Sequence, residues 1–281
     1  RRGLVRSRWR GDVYKRQFRL LGAPGIRRHG LPVAGDTRKA TALLAYLAVS
    51  GRSHAREALA GYWREADEDP EVWSIILTGG TKVFSTGLDM VELAEFRKKE
   101  LLRDMPFTGM DVFGAGVGKP VIAAVSGFCL GGGFAMTMVG ADLRIASTTA
   151  RFGMPEVKIG ITPAFGIPPM LAAHFPKSVV LEMLLLGHNL SVEDALRFGY
   201  VSRVVPPEDL LAAAEAVAGK INEMSPLVVR NIKQVIRTVT APDPRGIAFS
   251  DAVCLMSRYS EDYIEGPRAF KEKRKPVWKG R

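Results

Sequence analysis

The sequence predicts an α/β fold, and three observations predict it. Short apolar runs alternate with helical patterns from Val72 onward. Two glycine-rich loops, "FSTGLD" (84–89) and "LGGGFA" (130–135), each follow such a run and open a helix. From residue 207 to residue 281 the pattern is helical.

The elements follow in order. Residues 1–17, "RRGLVRSRWRGDVYKRQ", have no hydrophobic period and are expected to be disordered. Within them "GDVYKRQ" is similar to translated adapter sequence, so this stretch reads as adapter-derived. "FRLLG" and "GIRRHGLPV" give a short strand, a turn and a second strand. "TRKATALLAYLAVSG" predicts a helix capped by Thr37 and closed by Gly51, and "SHAREALAGYW" starts another. A helix end and a turn at Pro70 lead to a buried strand over Val72–Leu77. A polar helix is expected near 89–104. "KPVIAAVSG" is a strand, followed by the glycine loop and a helix at 134–140. "ADLRIAS" is a strand, and "ARFGMPEVKIGITP" leads into another helix. "SVEDALRFGYVSRVVP" gives a capped helix and a short strand before the helical region 207–281.

Composition excludes several functions. The net charge is +11, but residues 1–60 hold 14 Lys and Arg against 3 Asp and Glu. The entire excess therefore sits in the first fifth, as a basic tail or separate module, and the neutral remainder is not a nucleic-acid binder. No apolar run approaches the roughly 18 residues of a membrane span. The arginines at the N-terminus precede no apolar core of a secretory signal. Cys129 and Cys254 make no disulfide framework, which fits a reducing cytoplasm. His29, His54, His174 and His188 are scattered without ligand spacing, so no metal site is expected.

Three loops can carry chemistry together. The glycines of the first two allow backbone N–H groups to approach a ligand, and helix N-termini carry partial positive charge. Two N–H groups on one carbonyl oxygen form an oxyanion hole, in which each donor stabilises the transition state by about 2.7–4 kcal/mol. The third loop, "FGMPEVKIGITP" (152–163), brings Glu156 behind a proline. A thioester carbonyl held in the hole has an acidified α-proton, which one nearby carboxylate can move. Taken singly, a Gly-rich turn is more often a packing device, and a lone Glu after Pro is more often solvated. Their joint order and spacing favour the functional reading.

These motifs, with "LSVEDALRFGYVSRVVP" and the tail "EGPRAFKEKRKPVWKGR", resemble the crotonase superfamily, the enoyl-CoA hydratase/isomerase family, over residues 63–281. The resemblance implies a crotonase-like ββα spiral. Its core would be N-terminally truncated and span 63–206, followed by a C-terminal helical trimerisation region at 207–281. It implies a coenzyme A thioester as substrate, no further cofactor, a homotrimer or hexamer, a cytoplasmic location and a place in fatty acid metabolism. Carried over residue by residue, the oxyanion donors are the N–H groups of Leu88 and Gly132, and Glu156 is the acid/base. Lys82 and the backbone around Ser85 and Thr86 would follow the nucleotide end of coenzyme A. Phe270 and Lys273 would approach that nucleotide, often from a neighbouring subunit.

The sequence departs from the family in two places. Typical hydratases carry a first glutamate just after the glycine loop; here the position is Ala135 counted from the glycines, or Met136 counted back from Asp142. Single-glutamate chemistry is therefore favoured: isomerisation, or hydration or elimination through Glu156 alone, with Asp111 or Glu92 as candidates to enter from the loop. The family's first strand and first full helix are also missing. Instead, residues 18–62, including "RKATALLAYLAVSGRSHAREALA", resemble the opening of the winged-helix domain of SARP-type transcription regulators, without its recognition helix. The expected chain is a chimera with an exposed sheet edge. An inactive coenzyme A-binding remnant is the alternative reading, and a DNA-binding fragment a further one.

Overall fold

The computed structural model describes residues 40–45, 56–87 and 110–281. A parallel sheet runs through the centre, built from β1 (Ala40–Ala45), β2 (Val72–Thr78), β3 (Val121–Val125), β5 (Leu143–Ser147) and β8 (Arg203–Val205), in that order. Strands β4 (Phe128–Leu130), β6 (Arg151–Gly153) and β7 (Asn189–Ser191) form a second, mixed sheet in the order β4-β6-β7. The α/β expectation holds.

The central strands read as continuous apolar runs because both faces of the sheet are covered. On one face Ile75, Leu77, Val121, Ala123 and Val125 join the main core. On the other, Ile76, Ile122, Ala124 and Ile145 pack against Leu210, Ala214 and Ala218 of α6 (Leu210–Asn222). Those three α6 residues recur every four positions, as one face of a helix requires.

The segment expected as a capped helix, "TRKATALLAYLAVSG", contains strand β1 instead. Ala40–Ala45 pairs in parallel with Val72–Thr78. A short run of alanine and leucine carries no period that separates helix from strand. Pairing decides it: β1 satisfies the backbone of β2, so the edge expected to be exposed is covered along its length.

Helix α1 (Arg56–Glu68) buries Ala60, Trp63 and Ala66, at a spacing of three, and the last two join the main core. It runs without a break across position 63, where the family-like segment was expected to begin. Its end is tied down by Lys119, whose buried ammonium donates to the carbonyls of Ala66 (2.8 Å) and Asp69 (2.5 Å). Burial lowers the Lys119 pKa to about 8. Asp67 accepts from the N–H groups of Gly118 and Lys119 in return.

Helix α2 (Gly132–Val139) begins two residues before the expected 134. After it come α3 (Ile167–His174), α4 (Lys177–Leu186) and α5 (Val192–Arg197), the last capped by Ser191 as expected. The helical region continues with α6, α7 (Pro226–Thr240), α8 (Pro244–Arg258) and α9 (Glu261–Lys271). Helix α7 leaves Leu227, Val228, Ile232, Val235, Ile236 and Val239 exposed. Among the described residues no helix is long and apolar enough to cross a membrane. The polar helix expected near 89–104 lies outside the described residues.

Candidate active site

Two strand ends and one helix start meet at the glycine loop. Ser85 forms a parallel bridge with Cys129, and its carbonyl accepts from Leu130 N–H (2.8 Å). The loop after β2 thus lies alongside β4, and the two chains leave the sheets together. Gly131 then turns the chain at φ 53°, ψ −125°, a conformation open in practice only to glycine. Its N–H donates to Gly153 O (2.9 Å), which ties the turn to β6.

Gly132 is the first residue of α2, so its N–H has no partner within the helix. Gly87, at φ 91°, faces it: a Cβ on Gly87 would stand 3.1 Å from Gly132 N. The absent side chain keeps the approach to this donor open. Gly87 N–H is itself held by Ser85 Oγ (3.1 Å). No acidic residue lies in the first turn of α2 and no side chain caps it. The positive end of the helix is therefore left for a ligand.

Glu156 arrives from the 3-10 turn Pro155–Ile159, where the proline at the first position fixes the entry. A Cβ on Gly131 would stand 2.8 Å from Glu156 Oε1, so the carboxyl lies against the glycine turn. Oε2 is shielded from solvent and has no hydrogen-bond partner. Burial pushes the Glu156 pKa up to about 7, against a smaller opposing effect of its own backbone N–H. The carboxyl thus sits where it can both take and return a proton near neutrality.

The Glu156 turn is buttressed from the C-terminal region. Its carbonyl accepts from Ile161 N–H (3.0 Å). Gly266 of α9 packs against Ile159, and Gly160 packs against the Asp262 carbonyl and the Trp278 ring. The segment bearing Trp278 is held down in turn. Asp262 accepts from Lys279 N–H (2.6 Å) and Gly280 N–H (2.9 Å), and Arg274 forms a two-pronged ion pair with Glu265.

The structure brings Gly132 and Glu156 together. Of the candidates for coenzyme A contact, Ser85 packs beneath α2 and the others lie at the surface. Lys82 and Thr86 are exposed on the loop after β2. The Ser85 side chain is buried under α2 against Gly133, with its hydroxyl committed to Gly87. Phe270 and Lys273 are exposed at the end of α9, with Lys273 in a left-handed conformation (φ 53°). Leu88 and Glu92 lie outside the described residues. Asp111 is exposed in the turn Met110–Phe113. Ala135 and Met136, where a first glutamate was sought, are both buried in the main core.

Sequence reasoning missed what holds the far end of α2. Arg144 donates to the carbonyls of Thr137 (2.9 Å) and Ala141 (2.9 Å), and stacks on the Tyr200 ring at 4.5 Å. Tyr200 and Thr137 share a hydroxyl hydrogen bond of 2.7 Å. Asp142 gathers Val121 N–H, Lys233 and Arg237. The signal was present: Lys233 and Arg237 are spaced by four on one helix and so share a face.

Comparisons with known proteins bear on the family and the fold. The family model "Enoyl-CoA hydratase/isomerase" matches residues 54–281. The match starts ahead of the expected 63 and takes in all of α1. Carnitinyl-CoA dehydratase of Salmonella heidelberg (strain SL476) is 38% identical over 222 residues, covering 76% of this chain and 84% of its own. The crystal structure of carnitinyl-CoA hydratase from Mycobacterium avium superposes with a TM-score of 0.69 at 34% identity, over 80% of this chain and 88% of that one. A methylmalonyl-CoA decarboxylase in complex with 2-nitronate-propionyl-CoA superposes equally, with a TM-score of 0.69 at 30% identity, again over 80% and 88%.

Proposed function

From the premise that this chain belongs to the enoyl-CoA hydratase/isomerase family, we propose that its site ionises the α-carbon of an acyl-CoA thioester through Glu156 alone. The observation that carries the reading is the shielded, unpartnered Oε2 of Glu156 lying against the glycine turn that starts α2. A thioester oxygen on Gly132 N–H would place its α-carbon beside that carboxylate. Leu88 N–H is the second donor in this reading, because it follows Gly87 in the chain.

Glu156 takes the α-proton, and charge develops on the thioester oxygen at the donor site. The resulting enolate has two exits. When the substrate is a 3-enoyl-CoA, the enolate is conjugated with the Cβ–Cγ double bond, and the carboxylic acid returns the proton to the γ-carbon as the double bond moves to Cα–Cβ. Alternatively it protonates a β-hydroxyl, which leaves as water while the Cα–Cβ double bond forms. One carboxylate balances either step. The relatives named dehydratase and hydratase favour the second, and a carnitinyl-type β-hydroxyacyl-CoA is a substrate to test.

Lys82, the Ser85–Thr86 backbone, Phe270 and Lys273 are proposed contacts to the nucleotide of coenzyme A. The lysines serve as phosphate-facing point charges. The exposed apolar face of α7 supports a homotrimer or hexamer. The reaction needs no further cofactor in this reading, and its setting would be fatty acid metabolism in the cytoplasm. Residues 18–62 are read as a segment of separate origin, similar to a winged-helix start, behind an adapter-derived stretch at 1–17. That reading rests on the charge excess confined to residues 1–60, and the family match beginning at 54 takes in the segment's last residues.

Deuterium incorporation at the α-carbon of butyryl-CoA in D2O tests the proton step without requiring the natural acyl group. Exchange that disappears in Glu156→Gln supports the proposal, and unchanged exchange removes Glu156 from the mechanism. Coenzyme A binding without exchange by the parent chain would leave the inactive-remnant reading. Turnover of crotonyl-CoA, 3-enoyl-CoA and carnitinyl-CoA then sorts elimination from isomerisation.

A further inference from the structure

Helix α2 aims its N-terminus at the site, and that end is held through backbone alone, with no side-chain cap. Gly131 and Gly132 have no side chains, and no cap or acidic group is present. At the other end, carbonyls that the helix leaves unpaired are held by two guanidinium groups. Arg144, on β5, holds Thr137 O and Ala141 O. Arg237, on α7, donates to Val139 O (3.4 Å) and Gly140 O (3.0 Å). Its second terminal nitrogen donates to Ala115 O and Val117 O, each at 3.2 Å. Its Nε lies 3.3 Å from Asp142 Oδ1. The other oxygen of Asp142 accepts from Val121 N–H (2.7 Å) and from Lys233 Nζ (2.7 Å). One planar fork thus joins α2, the loop 114–118 and the residue that pins the start of β3.

The eight residues of α2 form a rigid lever about 12 Å long. A shift or tilt at its carbonyl end is carried to Gly132 N–H. Two cations there also complement the negative pole of the helix. We propose that Arg237 is a positioning residue: from the C-terminal helical region, it sets where the Gly132 donor stands relative to Glu156. This rests on the reading of Gly132 as the oxyanion donor. It assigns a role in the chemistry to a helix whose opposite face is exposed and apolar.

The test compares full-length Arg237→Met and Arg237→Lys with the parent in α-proton exchange of butyryl-CoA, with Glu156→Gln run alongside. Arg237→Met is expected to lower the maximal exchange rate about tenfold while the half-saturating butyryl-CoA concentration stays within about twofold. Arg237→Lys keeps the charge but loses the fork, and is expected to recover only part of the rate. If Arg237→Met does not fold by circular dichroism, Arg237→Lys decides: a lowered rate at unchanged half-saturation supports the proposal. Maximal rates equal to the parent, or a loss confined to half-saturation, overturn it. Exchange that persists in Glu156→Gln would instead sink the underlying functional reading, so the two failures are distinguishable.

Discussion

The two sides of the candidate site are made of different material. The donor side is backbone only: Gly132 contributes its N–H, Gly87 and Gly131 contribute empty space, and arginines hold the carbonyl end of α2. The proton-transfer side is one side chain on a short turn, buttressed by α9 and Trp278. A backbone donor cannot be deleted by substitution, only displaced or covered. A carboxylate can be removed outright while its shape is kept. The difference teaches which side should fail abruptly and which by degrees.

The largest effect expected is therefore at Glu156. Glu156→Gln should lower α-proton exchange by about 10²–10⁴-fold, read by mass spectrometry of butyryl-CoA in D2O. A loss comparable to that from the donor side would break the contrast.

Next in size is the effect of pH. Only the ionised carboxylate can accept a proton, and burial places its pKa at about 7. The exchange rate should rise about fiftyfold between pH 5 and 7, pass its midpoint near 7 and level off above about pH 8. A midpoint near the ordinary value of 4.5 would show that the carboxyl is solvated during the reaction.

Gly131→Ala should cost about 1–3 kcal/mol of backbone strain and press a methyl group on Glu156 Oε1. An exchange rate lowered about tenfold, with a lower melting temperature, would show the two sides to be coupled through this one contact. Full activity would mean that the turn and the carboxyl move independently.

The smallest effect is on stability and follows from the same carboxyl. Its pKa is raised in the folded chain, so the folded state is favoured fully below about 4.5, and that advantage is lost as pH rises through about 7. Glu156→Gln should thus melt at least about 2 °C above the parent at pH 8, with no gain at pH 4.5. Equal melting temperatures at pH 8 would mean that the ionised group is not desolvated.

Much of this contrast was legible in the sequence because each side has a local signature. The three glycines after an apolar run and the Pro155–Glu156 pair each encode their own conformation, and α2 and the 3-10 turn formed where those residues put them. Ala135 and Met136 are non-acidic, and their burial follows from the enclosure of α2 on all sides, with Gly133 through Met138 buried without a break. What escaped was non-local. Ala40–Ala45 reads as helix until β2 offers it a partner. Lys119 looks like a solvated charge before a strand until the end of α1 arrives at its ammonium. Arg237 gains its role only when α7 crosses behind α2. A pattern within a dozen residues reports local conformation; it does not report which distant carbonyls need a donor.

The buttress behind Glu156 has a consequence for how the molecule comes into being. The carboxylate, its turn and the glycine loop are all synthesised early, but the ring and backbone that pack on that turn belong to residues 262–278, far downstream. Chains are made in order, and early segments begin to fold before later ones exist. A nascent chain could therefore carry every reacting group of the site while its carboxylate still stood on an unsupported turn. Competence would arrive late and in one step, when α9 and Trp278 dock.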